Sequence, residues 1–453
     1  MGLIIGVVLA GFALLGGALF VLLGGASIIG YATADLPIST ILIDFNRIIK
    51  NTTIPIIPLF TFAGYVIAEG KAPERLVAFA RASVGWLPGG IAVVVLGTCA
   101  FFTTFTGASG VTIIALGGLV YPILRQTYNE KFSLGLITAS GSIGLLFPPS
   151  IPLILYAIVA QVPIGTMFFA GIIPGMLILA ILSVYCCGWS VFKRTETTPF
   201  SLSVFARTLW EAKWELMLPF LVIGGIFSGQ LQKTILTHLD KLLPFLTLSE
   251  ISPLVFTLDE VAALTVIYVC IVEICIHRSI SVRTLPRLVK ESMLLVGAIL
   301  IILGIALGLT GYLNTLEVPM IVLNWIESIT ENKVITLIGL NIFLLIIGCL
   351  MDIFSAIIII VPLLLPIAEQ FGIDKVHLGI IILTNLEIGY LTPPVGMNLF
   401  ISSMKFDKSV VLLYRSVLLF IGLLLIALIL VTYIPELSLW LPRILGKTSQ
   451  PLL

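Results

Sequence analysis

Charged residues are scarce in this sequence. Asp, Glu, Lys and Arg make up 10% of its 453 residues, while hydrophobic residues make up 59%. An ordinary soluble domain is roughly a quarter charged, because it must cover its surface with groups that water solvates. Much of this chain must therefore face lipid. The net charge is only +1, and such a balance gives no indication of a nucleic-acid partner.

The residues that metal sites and common hydrolases need are also few. Three histidines are present, and the six cysteines stand in apolar blocks without the spacing of metal ligands. No apolar block holds a pair of carboxylates for Mg²⁺, and no nucleophile motif surrounds a histidine. A membrane-embedded enzyme remains an alternative, but the prediction is that the chain is not an enzyme.

Long apolar runs are what the sequence has in abundance. Residues 3–30, 167–192, 293–313 and 410–431 are examples, and about 20 such residues cross a bilayer as a helix. None alternates as the strands of a membrane barrel do. With the shorter, interrupted runs, they predict an all-α polytopic membrane protein with about a dozen membrane segments.

Two basic clusters interrupt the apolar runs, one from Lys193 to Lys213 and one from His277 to Lys290. The positive-inside rule places both in the cytoplasm. Residues 199–216 and 279–293 combine spaced apolar residues with polar and basic ones, which is typical of amphipathic helices at the membrane surface. An ordinary solvated loop remains the alternative for each. The segment 230–256 is then expected on the opposite face.

An internal repeat divides the chain. Residues 143–149 read I-G-L-L-F-P-P and residues 388–394 read I-G-Y-L-T-P-P. We interpret residues 1–195 as a first repeat, with a hairpin near 100–118 and a broken helix near 138–156. Residues 293–453 form the core of a second, with a hairpin near 345–365 and a broken helix near 380–400. Residues 196–292 hold the amphipathic arm helices, two linking spans and an insertion at 230–256. Repeats with an odd number of spans insert upside down relative to each other.

The proline pairs are the sharpest clue to function. Each proline removes a backbone donor and breaks the helix, and lipid tolerates such a break only where protein or a wet cavity surrounds it. Unwound carbonyl oxygens can hold Na⁺, while the N-terminus of a half-helix attracts an anion. Two equivalent breaks therefore predict two cation sites, against the alternative of a structural kink.

Small and hydroxyl-bearing residues mark two further blocks. The first is T-T-F-T-G-A-S-G-V-T at 103–112, and the second is G-C-L-M-D-I-F-S-A at 348–356. They predict the tips of re-entrant hairpins, with a helix-packing surface as the alternative. Asp352 favours function, because a carboxylate within the membrane usually has one. Glu387 could bind a cation or a proton, or pair with a basic group.

Several phrases resemble the large membrane subunit of tripartite ATP-independent periplasmic (TRAP) transporters. They are G-S-I-G-L-L-F-P-P-S-I-P-L-I-L-Y at 141–156, F-A-G-I-I-P-G at 169–175, N-L-E-I-G-Y-L-T-P-P-V-G-M-N-L-F at 385–400, I-P-L-F-T-F-A-G at 57–64 and L-P-G-G at 87–90. The likeness covers nearly the whole chain in order. It implies a multi-pass protein of the bacterial inner membrane, with a scaffold and a transport domain that moves as an elevator.

The resemblance also implies cargo and partners. Family members use a Na⁺ gradient to move a small anionic solute, most often an organic acid. They take it from a soluble periplasmic binding protein and work with a small four-helix membrane subunit. The alternatives are a stand-alone symporter of divalent anions with Na⁺, or a channel.

By similarity, the cation sites fall on specific residues. One Na⁺ would lie among Thr106, Ser109, Gly144, Phe147 and Pro149, and a second among Gly348, Gly389, Thr392 and Val395, largely through backbone oxygens. The candidates for contact with the solute are Ser109, Ser142, Asp352, Asn385 and Asn398. Two departures stand out, the T-G-A-S tip at 106–109 where the family more often has serines, and the 230–256 insertion.

Overall fold

The computed structural model describes residues 19–444, except 51–52, 196, 198, 227 and 229–255. This part of the chain contains nineteen α-helices and no strand. Nearly all of the insertion predicted at 230–256, and the start of the first apolar run, lie outside the described residues.

The described helices confirm an all-α polytopic membrane protein. Six are long and apolar enough to cross a bilayer, and a bent pair around the first proline break gives a seventh. This number is below the dozen expected, because several apolar runs form helices of 10–17 residues, which are shorter than the roughly 20 residues that cross a hydrocarbon core. They include Ile56–Glu69, whose 14 residues extend about 21 Å.

The first part of the chain builds a hairpin and a broken helix. The helices are α1 Leu19–Thr33, α2 Ser39–Ile49, α3 Ile56–Glu69, α4 Ala72–Val84, α5 Gly90–Thr106, α6 Ser109–Thr127, α7 Glu130–Ser140 and α8 Ile151–Ala160. Helices α5 and α6 form the first hairpin, and the chain reverses at Gly107 with φ +62°, a conformation that glycine adopts without strain. A 3-10 turn, Ile143–Leu146, lies between α7 and α8, so the helix breaks ahead of the proline pair as predicted.

The central helices are longer than the sequence indicated. They are α9 Ile164–Lys193, α10 Leu202–Ile226, α11 Leu258–Cys270 with a π-helical turn at Ile271–Ile276, and α12 Leu285–Thr315. Each amphipathic segment is the first part of a longer helix, since α10 and α12 continue into the apolar runs that follow. In α10, Thr208, Ala212 and Glu215 are buried on one face while Trp210 is 71% exposed, which suits a helix that enters the membrane from its surface.

The last part contains a second hairpin and a second break. Its helices are α13 Val318–Ile329, α14 Lys333–Leu350, α15 Ile353–Gln370, α16 Lys375–Gly389, α17 Met397–Phe406, α18 Val410–Tyr433 and α19 Glu436–Ile444. Helices α14 and α15 form the second hairpin, and α16 and α17 flank the second proline pair. Each unit also packs on the other, because α6 contacts α17 and α15 contacts α8. Whether the two units are inverted across the membrane stays a prediction.

A buried ion cluster joins three segments that are far apart in the chain. Arg75 of α4 donates from Nε to Glu215 Oε1 at 2.6 Å and from Nη2 to Glu273 Oε1 at 2.5 Å. Both glutamates are 1% exposed, and the Ser279 hydroxyl also donates to Glu273. We call these residues, Arg75, Glu215 and Glu273, the arm cluster, because it fixes α10 and the π-helical turn on α4.

Helix α12 allows a test of topology. Its 31 residues extend about 46 Å, which exceeds the roughly 30 Å of a hydrocarbon core. In a cysteine-free background, Arg207→Cys and Arg283→Cys should react with an impermeant thiol reagent from the cytoplasm, and Glu317→Cys from the periplasm. Reaction of all three from one side would contradict this topology.

Candidate cation and solute site

The first break packs against the first hairpin at very short range, and we call this contact the first crossing. A Cβ on Gly144 would lie 2.2 Å from the Ala100 carbonyl oxygen of α5, so only glycine fits here. The Thr104 hydroxyl lies 3.3 Å from the Gly144 carbonyl oxygen, and the Thr103 hydroxyl 2.8 Å from that of Gly141. Threonine hydroxyls and break carbonyls therefore share one buried, oxygen-rich contact.

The tip of the first hairpin adds more oxygen atoms. Thr106 Oγ1 lies 3.4 Å from both the Ala108 carbonyl oxygen and Thr112 Oγ1, and Thr106, Ser109 and Thr112 are all buried. Beyond the break, the Phe147 carbonyl accepts from the Ser150 N–H at 3.0 Å, while Pro149 has no N–H to donate. The first predicted cation set thus lies on two elements that pack together.

The second break packs against the second hairpin in the same way, and this contact is the second crossing. A Cβ on Gly389 would lie 2.4 Å from the carbonyl carbon of Gly348. The Gly389 carbonyl accepts from the Thr392 N–H, and the Thr392 hydroxyl donates to the Ile388 carbonyl, both at 2.9 Å. Val395 has an aliphatic side chain, so its backbone oxygen is the only ligand that it offers.

Asp352 stands at the tip of the second hairpin as the N-cap of α15. Its carboxylate accepts from the Ser355 N–H at 2.9 Å and from the Ser355 hydroxyl. A capping role accounts for these bonds, because the first N–H groups of a helix have no partner within it. Its predicted contact with the solute stays a prediction.

The other residues predicted to contact the solute lie in different surroundings. Ser109 donates to Asn398 Oδ1 at 2.7 Å, which joins the first hairpin tip to the start of α17. Asn385 instead donates to Asn341 Oδ1 at 2.8 Å, between α16 and α14. Ser142 lies 3.5 Å from the Ala139 carbonyl oxygen and beside Glu387.

Three helix N-termini meet around the first hairpin tip. Ser109 begins α6 and bonds Asn398 at the start of α17, while a Cβ on Gly107 would touch Ile151 at the start of α8. Helix N-termini carry partial positive charge and free N–H groups. The buried Nδ2 of Asn398 also has no hydrogen-bond partner among the described residues. An anionic group of a solute would find its donors here.

The oxygen atoms at the two crossings are suitable ligands for a hard monovalent cation. The described residues contain no group of three or more His, Cys, Asp or Glu side chains that could hold a metal ion. Carbonyl and hydroxyl oxygens without a cluster of negative charge fit Na⁺ better than a transition metal.

Sequence reasoning missed some participants. Thr103, Thr104 and Thr112 contribute hydroxyls at the first crossing, and Asn341 pairs with Asn385. The sequence does indicate the threonines, because Thr98, Thr103 and Thr104 are hydroxyl-bearing residues in a run that is otherwise mostly apolar. The arm cluster gave a weaker signal, because Glu273 is a single carboxylate between Val272 and Ile274.

Comparison with known proteins gives one family over nearly the whole length. The family described as tripartite ATP-independent periplasmic transporter, DctM component, matches residues 1–437. The C4-dicarboxylate TRAP transporter large permease protein DctM of Pseudomonas aeruginosa is 32% identical over 401 residues, covering 88% of each chain. The sialic acid TRAP transporter large permease protein SiaM of Vibrio cholerae is 30% identical, covering 87% of each.

A longer relative and a solved structure extend the comparison. The isethionate TRAP transporter permease protein DctMQ of Oleidesulfovibrio alaskensis is 34% identical over 93% of this chain, which spans 65% of that protein. The crystal structure of the Alcanivorax borkumensis YdaH transporter, described as having an unusual topology, matches with a TM-score of 0.59 at 14% identity. It covers 87% of this chain and 86% of its own. At that identity the likeness concerns the fold alone.

Proposed function

This chain belongs to the DctM component family of tripartite ATP-independent periplasmic transporters, and we propose that it carries a small anionic solute across the membrane together with Na⁺. As in its relatives, the chain is a multi-pass permease subunit of the bacterial inner membrane and not an enzyme. The identification as a TRAP large subunit, expected from the sequence phrases, is confirmed.

The observation that carries the proposal is the pair of glycine crossings. At each, a proline-interrupted segment lies against a hairpin with room for no side chain, so we expect one small ion to reach backbone oxygens of both elements. Na⁺ bound at a crossing would hold the hairpin and the break together. The bound ion would thereby order the site in which the solute sits, which is the physical basis of coupling.

The nature of the solute follows from the helix N-termini and from the relatives. The N-termini of α6, α8 and α17 bring partial positive charge to this place without a fixed basic side chain. The Asn398 N–H itself donates to the Tyr390 carbonyl oxygen, so the donor that Asn398 offers is its Nδ2, which is unpaired among the described residues. Relatives are named for C4-dicarboxylate, isethionate and sialic acid, each of which carries a carboxylate or a sulfonate. We assign this chain the same class, an organic acid.

The proposal includes two partners and a motion. By analogy with its family, the chain works with a small four-helix membrane subunit and receives solute from a periplasmic binding protein. The interlocked hairpins and breaks would move together as a transport domain, in an elevator motion against a scaffold that includes α10 and α12.

The test is uptake by the subunit reconstituted with its small subunit and binding protein. Solute should accumulate in vesicles only under an inward Na⁺ gradient, because the sites must fill from the side of high Na⁺. Omission of the binding protein is the control, and uptake without it would favour a stand-alone symporter. Full accumulation on a proton gradient without Na⁺ would contradict the cation assignment.

A further inference from the structure

An apolar groove lies between α13 and the second hairpin. It is a cavity of about 560 Å³ whose walls belong mainly to α13, α14 and α15, and none of the predicted cation or solute residues lines it. Only Thr330 and Thr336 among its lining residues are polar, and none is charged. Gly339 also lines it, and a Cβ there would meet no heavy atom within 4 Å. We call this cavity the α13 groove.

The α13 groove opens on an apolar outer face of the second hairpin. Ile329, Ile335 and Phe343 line the groove and are exposed. On α14 the exposed apolar face continues through Ile338 and Ile342. Lipid chains are as apolar as these side chains, and a helix that spans the membrane exposes such a face to them. Acyl chains therefore reach the mouth of the groove.

The size of the groove distinguishes between possible occupants. One turn of an α-helix, about 10–12 Å wide and 5.4 Å long, fills roughly 400–600 Å³. A cavity of about 560 Å³ would hold barely one turn, so a helix of a partner subunit or of a second copy does not fit inside it. An unbranched acyl chain is much thinner and does fit.

The first hairpin shows what such a space accepts. Helix α4 precedes that hairpin as α13 precedes the second, and α4 and α6 together line a cavity of their own. Phe200 and Val204, around the start of α10, form another wall of it, so an apolar stretch of the chain itself covers this space. Within the described part of the chain, the walls of the α13 groove belong to α13–α16 and their connections alone. This second space is therefore left for an apolar group from outside the chain.

A charged cavity adjoins one end of the α13 groove. Ile373 lines both cavities. Lys375 in the charged cavity is paired with Glu369, and Arg443 with Glu436. Three cations and three carboxylates line this second cavity of about 580 Å³, namely Lys333, Lys375, Arg443, Glu369, Asp374 and Glu436.

Lys333 is the remaining cation of this cavity, and it has no carboxylate partner among the described ion pairs. Its ammonium donates to the Gly372 carbonyl oxygen at 2.7 Å, and an ammonium group has three N–H donors. Thr336 and Leu340, three and seven residues further along α14, line the groove and share a helix face with Lys333. One face of α14 therefore leads from a cation at the helix end into an apolar space.

We propose that the α13 groove binds a phospholipid of the surrounding membrane, with one acyl chain in the groove and the phosphate on Lys333. A lysine at the end of a membrane helix reaches the level of the lipid headgroups, and its N–H donors form charge-assisted hydrogen bonds with phosphate. The apolar walls accept the chain and leave no charged group buried against it. This site is separate from the cation and solute sites, so it does not depend on the proposed transport function.

Native mass spectrometry of the purified complex, titrated with phosphatidylethanolamine, tests both parts of the site. Gly339→Leu places a side chain in the groove and should abolish the tight binding of one phospholipid that the wild type shows. Gly97→Leu is the matched control, because Gly97 also lies in open space on the first helix of a hairpin. Lys333→Gln should bind about tenfold more weakly, the loss expected for one charge-assisted hydrogen bond. Lys375→Gln, whose ammonium is already paired, should bind as the wild type does.

Two results of this titration would overturn the proposal. One is equal binding by the wild type, Gly339→Leu and Lys333→Gln. The other is equal loss in a test variant and its control, because the phospholipid would then bind elsewhere. Lys333 is exposed at a helix end, so Lys333→Gln keeps the test decisive if Gly339→Leu does not fold.

A photoreactive group at the mouth of the groove identifies the occupant directly. With p-benzoylphenylalanine in place of Phe343, illumination of the detergent-purified complex should add the mass of one phospholipid to a peptide of α14. The same group in place of Phe220, an exposed residue of α10, is the control and should add none, because detergent removes loosely held lipid. An adduct of position 343 with the small subunit or with a second copy, or equal phospholipid adducts at both positions, would overturn the proposal.

Discussion

Gly389→Ala should abolish most Na⁺-dependent uptake. The new Cβ would lie 2.4 Å from the carbonyl carbon of Gly348 and 2.9 Å from the Cys349 backbone nitrogen. Backbone atoms cannot rotate aside as a side chain does, so the break must move away from the hairpin, at a cost of about 1–3 kcal/mol. Because Na⁺ is proposed to bind across this contact, its apparent affinity should fall at least about tenfold, which corresponds to ~1.4 kcal/mol.

A glycine on the hairpin that Gly389 contacts gives the control. A Cβ on Gly339 of α14 would have no heavy atom within 4 Å, so Gly339→Ala should transport as the wild type does. Gly144→Ala and Gly97→Ala form the same comparison at the first crossing, since Gly97 is also open. Uptake is measured against Na⁺ concentration at equal surface expression. A wild-type Na⁺ dependence in both Gly389→Ala and Gly144→Ala would show that the crossings are not cation sites.

Arg75→Leu should give the largest loss of stability. It removes the cation of the arm cluster and leaves Glu215 and Glu273, each 1% exposed, without their salt bridge. Removing one partner of a buried ion pair costs about 3–5 kcal/mol, because the remaining charge stays buried. The thermal unfolding temperature of the purified protein in detergent should therefore drop sharply.

A further variant distinguishes the effect of unpaired buried charge from the effect of lost packing around Arg75. In a triple variant that also carries Glu215→Gln and Glu273→Gln, no charge is left unpaired, and most of the stability should return. Arg207→Leu disrupts an exposed pair with Glu211 and should change stability by less than about 1 kcal/mol. If the triple variant were no more stable than Arg75→Leu, uncompensated charge would not explain the effect.

The sequence predicted the hairpins and breaks because their causes are local. Pro148, Pro149, Pro393 and Pro394 interrupt the helix hydrogen bonds wherever the fold places them, and Gly107 turns the chain within one residue. Helices α7 and α16 accordingly end at Ser140 and Gly389, ahead of these prolines. The ends of the amphipathic segments were harder to predict, because α10 and α12 continue without a break into the apolar runs that follow.

Contacts between distant residues could not be predicted from the sequence. Ser109 and Asn398 are separated by 289 positions, and both were chosen only as polar groups near an interruption. Asn385 was chosen on the same ground, yet its amide bonds Asn341 on the neighbouring helix. The arm cluster needs three segments to meet, and a pattern within one segment carries no information about that. The cation assignments remain predictions that the crossings support.

The most direct test of Na⁺-coupled transport measures both fluxes in the same vesicles. With the subunit, its small partner and its binding protein reconstituted, labelled solute and labelled Na⁺ should enter in a fixed ratio. In Gly389→Ala both fluxes should fall together, while Gly339→Ala keeps the wild-type ratio. Solute entry with no accompanying Na⁺, or Na⁺ entry that continues unchanged without solute, would contradict the account.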